Sequence, residues 1–217
     1  MSVIRPQDPD EGGGRIFRNP FVWAFFIGVI TLTLIRPLLR FEPDPPPVIG
    51  RVPAFSLVDQ GGDEFGSSEL AGEVYVASFF FTRCPSICPK LMQAMSGLQD
   101  RYSESGVNGI RLVSITVDPA NDTPDRLGDY ASLHGVDPES WSLLTGDPEE
   151  IRKLIMEGFK TPMGLPTEIG EGLYDIAHTG KVVLVDRSGG IRGYYGSDEP
   201  GLDEIFHRSR HVLKEGR

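Results

Sequence analysis

At 217 residues, 39% hydrophobic and 24% charged, the chain has an ordinary globular composition, enough for one domain with extensions or at most two small domains. The net charge is −10, and residues 1–40 hold five arginines against three acids, so residues 41–217 carry −12. A domain of that sign is no nucleic-acid binder; it suits solubility, or docking on a basic partner.

Residues 1–19 are polar, contain Gly12-Gly13-Gly14, and read as a disordered tail. From Phe21 to Ile35 there is no charge, and continuing through Leu38 and Leu39 gives a run over 20–39. That is close to the roughly 20 residues a transmembrane helix needs. No Ala-x-Ala-like cleavage site follows it, so an uncleaved membrane anchor is expected. Three arginines precede the run and Arg36 and Arg40 lie at its end, which together with the short N-terminal tail places the N-terminus in the cytoplasm. Residues 40–49, with Pro43, Pro45, Pro46 and Pro47, form a stiff extended tether. Residues 50–217 form the folded domain.

Within that domain the pattern reads β, β, α, β, α, β, α, β, β, α. Val52 to Val58 and Asp63 to Phe65 suggest a hairpin through Gly61-Gly62. Val74 to Phe81 is too apolar for a strand with one wet face and reads as a buried central strand. Leu91, Met92, Met95 and Leu98 recur at helical spacing, so a helix follows and runs to about Glu104. Ile110 to Val117 is a second buried strand, and Thr123-Pro124 opens the next helix as cap and first turn. Trp141 to Leu144 is a short strand, and Asp147-Pro148 begins another helix. Residues 160–172, rich in Gly, Pro and Thr, read as a loop. Val182 to Val185 and Ile191 to Tyr195 form a hairpin through Ser188-Gly189-Gly190, and a last helix closes the fold. Strand–helix alternation with a terminal hairpin predicts an α/β fold: a thioredoxin-like three-layer domain with a central mixed sheet, preceded by one transmembrane helix.

The only two cysteines lie in Phe81-Thr82-Arg83-Cys84-Pro85-Ser86-Ile87-Cys88-Pro89. Pro85 suits the first turn of the helix, which puts Cys84 at the strand-to-helix junction and Cys88 one turn later. The helix dipole and Arg83 favour thiolates there, so both sulfurs should ionise easily. Helical i, i+4 positions have Cβ atoms about 5–6 Å apart, wider than the roughly 3.5–4.5 Å a relaxed disulfide prefers. The spacing leans towards a soft metal, which needs a further ligand. Of the four histidines, His134 before Gly135 reads as a helix end. His207 and His211 fall on the wet flank of the last helix. His178 precedes the strand 182–185, where a loop side chain can reach the active end of the sheet. On the residues alone an ordinary loop histidine is the plainer reading. Met92 and Met95 are possible thioether ligands, but both lie on the apolar stripe of their helix, where packing explains them. Asp118 and Asp122 follow a strand end and suit the next helix terminus, which is the plainer reading; a place for Asp118 behind the metal ligands or in partner contact is the lesser one.

The segment 81–89, Val117-Asp118-Pro119 with Asp122-Thr123-Pro124, and His178 ahead of Val182 to Asp186 together resemble the Sco/SenC family, over about residues 50 to 213. The resemblance implies a membrane-anchored, thioredoxin-like factor for cytochrome c oxidase assembly, with copper, Cu(I) or Cu(II), held by Cys84, Cys88 and His178. It implies delivery to, or preparation of, the binuclear copper site of the copper-bearing oxidase subunit. Other copper chaperones or thiol reductases would be further partners. The location implied is the bacterial inner membrane, single-pass, with the domain facing the periplasm or outside. The family often has His where Arg83 stands and Asp where Ser86 stands, departures that bear on docking or redox tuning rather than on the three ligands.

A thiol–disulfide oxidoreductase that reduces partner cysteines through Cys84 and Cys88 is the alternative. Against it, thioredoxins space their cysteines one residue closer and carry a cis-proline where this chain has His178-Thr179. A peroxiredoxin-like peroxidase wants Thr three residues before its cysteine, whereas Thr82 is two before Cys84. The expectation is a metallochaperone rather than an enzyme, with thiol–disulfide reductase activity as the exception.

Overall fold

The computed structural model describes residues 19–36, 44–84, 87–170 and 173–215. The chain divides after Asp44 into two units. Of the first, the described part is helix α1, Pro20–Ile35, with Asn19 accepting a bond from the Phe21 N–H at 3.0 Å and Pro20 in the first turn. None of its residues is buried, and Phe21, Trp23, Phe25, Ile27, Leu32 and Leu34 all face outward. The expected span was 20–39. The helix has 16 residues and stops at Ile35, two before Pro37, a residue type at which helices usually end. No helix among the described residues is long and apolar enough to cross a membrane. Residues 37–39 of the expected span, 40–43 of the expected tether and 1–18 of the expected tail lie outside the described residues.

The second unit is built on a six-stranded sheet. Its strands are β1 Gly50–Arg51, β4 Val74–Phe80, β5 Ile110–Thr116, β6 Trp141–Leu144, β9 Val182–Val185 and β10 Gly190–Tyr195. The order is β1-β10-β9-β4-β5-β6; β4, β5 and β6 run parallel, and β9, β10 and β1 pair antiparallel. Two hairpins stand outside it: β2 Ser56–Val58 with β3 Glu64–Gly66, and β7 Met163–Gly170 with β8 Leu173–His178. The expected first hairpin is therefore real but shorter, turning through Gly62 at φ +87°. Residues 160–172, expected as a loop, supply most of a second one. Gly164, Pro166 and Gly170 break the period-2 pattern that would have announced it.

Among the described residues four further helices complete the fold: α2 Cys88–Glu104, α3 Pro124–Leu133, α4 Pro148–Lys153 running on as a π-helical turn to Gly158, and α5 Glu199–Lys214. Every residue of β4 is buried, as its largely apolar run requires, and its one serine, Ser78, is paired with Ser114. Adjacent side chains on a strand point to opposite faces. Phe79 meets Phe159 edge-on at 5.3 Å, and Phe80 stacks on Tyr130 of α3 at 5.6 Å, so both faces are covered. The result is an α/β fold with a central mixed sheet between two outer layers. Helices α2 and α5 are fastened by the buried Tyr102 and Ser209 hydroxyls, 2.7 Å apart.

The segment entering the domain is not a free tether. Ile49 N–H donates to Ile191 O at 2.9 Å, and Arg192 Nη1 donates to Pro46 O at 2.8 Å.

Candidate metal centre

Strand β4 delivers the chain to Phe81, after which Thr82, Arg83 and Cys84 turn away from the sheet, with Cys84 N–H donating to Phe81 O at 3.2 Å. Asp122 braces that turn. Its carboxylate accepts from Thr82 N at 3.1 Å, Thr82 Oγ1 at 2.5 Å and Thr116 Oγ1 at 2.5 Å, tying the cysteine loop to the end of β5. Burial raises the Asp122 carboxyl above its ordinary range, against the pull of these donors.

Helix α2 starts at Cys88, with Pro89 in its first turn and no side chain capping it. The expected start near Pro85 is therefore three residues early; Pro85 and Ser86 lie outside the described residues. Cys84 stands ahead of the helix, and its Sγ accepts the Cys88 N–H at 3.4 Å, one of the donors a helix start leaves free. Neither cysteine is in a disulfide. The Cys88 side chain is wholly buried, and burial, reinforced by its contact with Cys84, pushes its thiol far up. The expectation of two easily ionised sulfurs fails for Cys88. A dry interior outweighs the dipole there.

His178 ends β8, opposite Met163. Its Nδ1 lies 2.7 Å from Ile176 O, which can only accept, so Nδ1 carries a proton and, in the neutral imidazole, Nε2 holds the lone pair. That lone pair faces Cys88 Sγ at 3.5 Å across a sequence separation of 90 residues. The edge of Phe81 packs against the ring, centroids 5.7 Å apart.

Above this pair Tyr174 gathers three partners from two other segments, the cysteine loop and the loop after β5. Its hydroxyl donates to Asp118 Oδ2 and accepts from Arg83 Nη2 and, at 3.1 Å, from Asn121 Nδ2. Asn121 Nδ2 also donates to Asp118 Oδ1 at 3.0 Å, and the Arg83 guanidinium lies 4.5 Å over the tyrosine ring. Phe81 also stacks against that ring, centroids 6.0 Å apart. Burial and the neighbouring Asp118 carboxylate push the phenol up to about 12, so it is a neutral donor at physiological pH.

The remaining sequence candidates fall elsewhere. His134 caps the end of α3 before Gly135 at φ +66°, and burial lowers its pKa. His207 is exposed, 3.7 Å from Asp203, and His211 is half-buried. Met92 and Met95 are wholly buried in the core. Asp118 is one bridging group from the site, through Tyr174. Sequence reasoning missed Tyr174 and Asn121, and took Asp122 for a helix-terminus acid. Tyr174 meets Arg83 and Asn121 across 91 and 53 residues, and Asp122 meets Thr82 across 40, so no local pattern announces these contacts.

The donor chemistry suits a soft ion. Metal–sulfur and metal–nitrogen bonds of about 2.3 and 2.0 Å, meeting at tetrahedral to trigonal angles, put the two donors about 3.5–3.8 Å apart. The Cys88–His178 separation is of that size. A ligating histidine usually has its other nitrogen held by a carbonyl or carboxylate, as Ile176 O holds Nδ1. Cys84 is engaged with the Cys88 N–H, and among the described residues no three His, Cys, Asp or Glu side chains already enclose an ion position.

The SCO1/SenC family model matches residues 47–214. An SCO1 protein homolog of Bacillus subtilis (strain 168) is 30% identical over 162 residues, covering 74% of this chain and 81% of that protein. Among solved structures, a SCO1/SenC family lipoprotein from Bacillus anthracis aligns with a TM-score of 0.70 at 27% identity, over 77% of this chain and 98% of its own. Bradyrhizobium japonicum ScoI with copper bound aligns with a TM-score of 0.65 at 26% identity, over 76% and 100%. BsSco, described as a member of the Sco family of cytochrome c oxidase assembly proteins with a disulfide switch, aligns at 0.68 and 27%, over 80% and 99%. With more than half its length matched by that model and the fold shared, the chain belongs to the SCO1/SenC family.

Proposed function

We propose that this chain binds copper through Cys84, Cys88 and His178 and serves the copper site of a cytochrome c oxidase. One observation carries the reading: Cys88 Sγ and His178 Nε2 face each other at 3.5 Å, with Nδ1 already committed to Ile176 O. Two thiolates and a neutral imidazole are a soft set that suits Cu(I), and an added oxygen donor would accommodate Cu(II). The solved relative with copper bound and the one described as an oxidase assembly protein support the ion and the destination. Because the Cys88 thiol must give up its proton, binding should release protons and tighten as pH rises. The outward-facing apolar surface of α1 supports a membrane location, and the three arginines ahead of it support a domain on the outer face.

Anaerobic Cu(I) titration of the full chain in detergent tests this. One tight equivalent is expected, with His178→Ala weaker by about tenfold or more and Cys84→Ser or Cys88→Ser weaker still. Unchanged affinity in His178→Ala overturns the ligand set. The second reading, reduction of partner cysteines, is favoured by two neighbouring cysteines that are not joined in a disulfide. It predicts thiol exchange indifferent to His178→Ala and abolished by Cys84→Ser. For location, protease added outside intact spheroplasts should digest the domain; a protected domain refutes the outward orientation.

A further inference from the structure

Hairpin β7–β8, which carries His178, is not a strand pair of the main sheet. Two strands alone are marginal in water, and this pair is further loosened by irregular register between Met163 and Pro166 and between Glu168 and Gly170. Its outer residues Leu165, Thr167 and Glu168 are exposed. Side chains on its inner side must therefore set where it sits. Those are Ile176, almost wholly buried, His178 itself, and Tyr174.

We propose that Tyr174 is the positioning residue for His178: its hydroxyl latches the hairpin to the cysteine loop through Arg83 and to the loop after β5 through Asp118 and Asn121. A phenol has one proton to give and two lone pairs to fill. All three are used, by Asp118, Arg83 and Asn121 respectively. Arg83 is next to Cys84, and Tyr174 lies on the same strand as His178, four residues earlier. The latch thus joins the two halves of the candidate metal centre without belonging to it. Arg83 also serves the carboxylate beneath it. The guanidinium covers the Tyr174 ring and stands 3.6 Å from Asp118, neutralising a charge that is itself buried. The assignment rests on the copper reading for its functional meaning, while its geometric content, the fixed imidazole, can be read without metal.

Tyr174→Phe removes the hydroxyl and keeps the ring on Phe81 and Arg83, so it isolates the latch. In the apo-protein the imidazole nitrogen resonances of His178 should move towards those of a free histidine, and the amides of Ala177 to Thr179 should exchange faster. Anaerobic Cu(I) competition with the full chain should show affinity about tenfold weaker, as for partners that orient a ligand. In the His178→Ala background the same substitution should cost nothing further, since the residue it positions is gone. Asp118→Asn, which leaves an acceptor for the phenol, should be milder in both measurements. Wild-type spectra and affinity for Tyr174→Phe, or an equal loss of copper affinity with and without His178, overturn the assignment. If His178→Ala leaves copper affinity unchanged, the metal reading falls, and the apo-protein spectra still decide the latch.

Discussion

The backbone N–H of Cys88 points at Sγ of Cys84 across 3.4 Å, while the Cys88 side chain sits in a dry interior. The two thiols are thereby made unequal. Burial raises the Cys88 pKa, so its thiolate is scarce at neutral pH and grows only in alkaline solution. At about pH 7, single variants of the apo-protein should differ: Cys84 in Cys88→Ser, which keeps slight exposure and a backbone donor at its sulfur, should react with iodoacetamide faster than Cys88 in Cys84→Ser. Cys88 in Cys84→Ser should stay silent there and gain reactivity only well above about pH 9, past the ordinary thiol range. Equal rates for the two would show that burial does not control them.

Asp186 organises the β9–β10 turn and the entry of the chain. Its Oδ1 accepts from Ser188 N, Ser188 Oγ and Gly190 N at 2.7 to 2.9 Å, and Oδ2 accepts from Arg192 Nε at 2.6 Å. Burial alone would raise this carboxyl; Arg192 and the turn donors outweigh it and hold the pKa below the ordinary value. With the folded pKa depressed, the unfolded chain takes up the proton first as acid is added. The stabilisation is therefore complete above about pH 4 and is lost as pH falls further. Asp186→Asn should cost about 2–3 kcal/mol at neutral pH in urea unfolding. Its stability should also fall less steeply than wild type between about pH 4 and 2.

The β4–α2 unit was legible because its signals are local: a largely apolar strand, a helical stripe and the only two cysteines. His178 emerged from its place before β9 together with a family pattern. Its partner could not be read from spacing, since 90 residues of chain separate it from Cys88. What stayed hidden depends on competition between forces. The dipole argument made both sulfurs acidic until burial decided for Cys88. The proline rule was right in kind, but Pro89, and not Pro85, occupies the first turn of α2. Hairpin β7–β8 escaped because glycines and a proline interrupt its alternation, and long-range contacts of Tyr174 and Ile176 hold it in place.

Gly66 is fixed by proximity rather than by backbone angle. A Cβ there would lie 2.1 Å from the Phe55 carbonyl oxygen and 2.9 Å from Ser56 Cα, both main-chain atoms that cannot rotate away. The same carbonyl accepts the Ser67 N–H at 2.9 Å. Gly66→Ala should therefore push β3 off β2 and cost more than about 2 kcal/mol, beyond the usual range for a surface change. Thermal melts of the two proteins measure it, and a loss below about 0.5 kcal/mol would sink the steric account.

Ser114 sits at the middle of a polar chain inside the sheet. Trp141 Nε1 donates to its Oγ at 2.9 Å, and the Ser78 and Ser114 hydroxyls are 2.7 Å apart, all three residues buried. A hydroxyl can serve both neighbours at once, accepting from the indole and sharing one hydrogen bond with the Ser78 hydroxyl. Ser114→Ala removes little volume but strands an indole N–H and a hydroxyl where no water reaches. The cost should be about 2–3 kcal/mol, set by the unpaired groups and not by lost contact. Trp141→Phe in the same chain removes the orphaned donor, so the double variant should lose less than the sum of the single losses by about 1 kcal/mol. Strict additivity in denaturant unfolding would mean that the indole N–H finds another partner when Ser114 is gone.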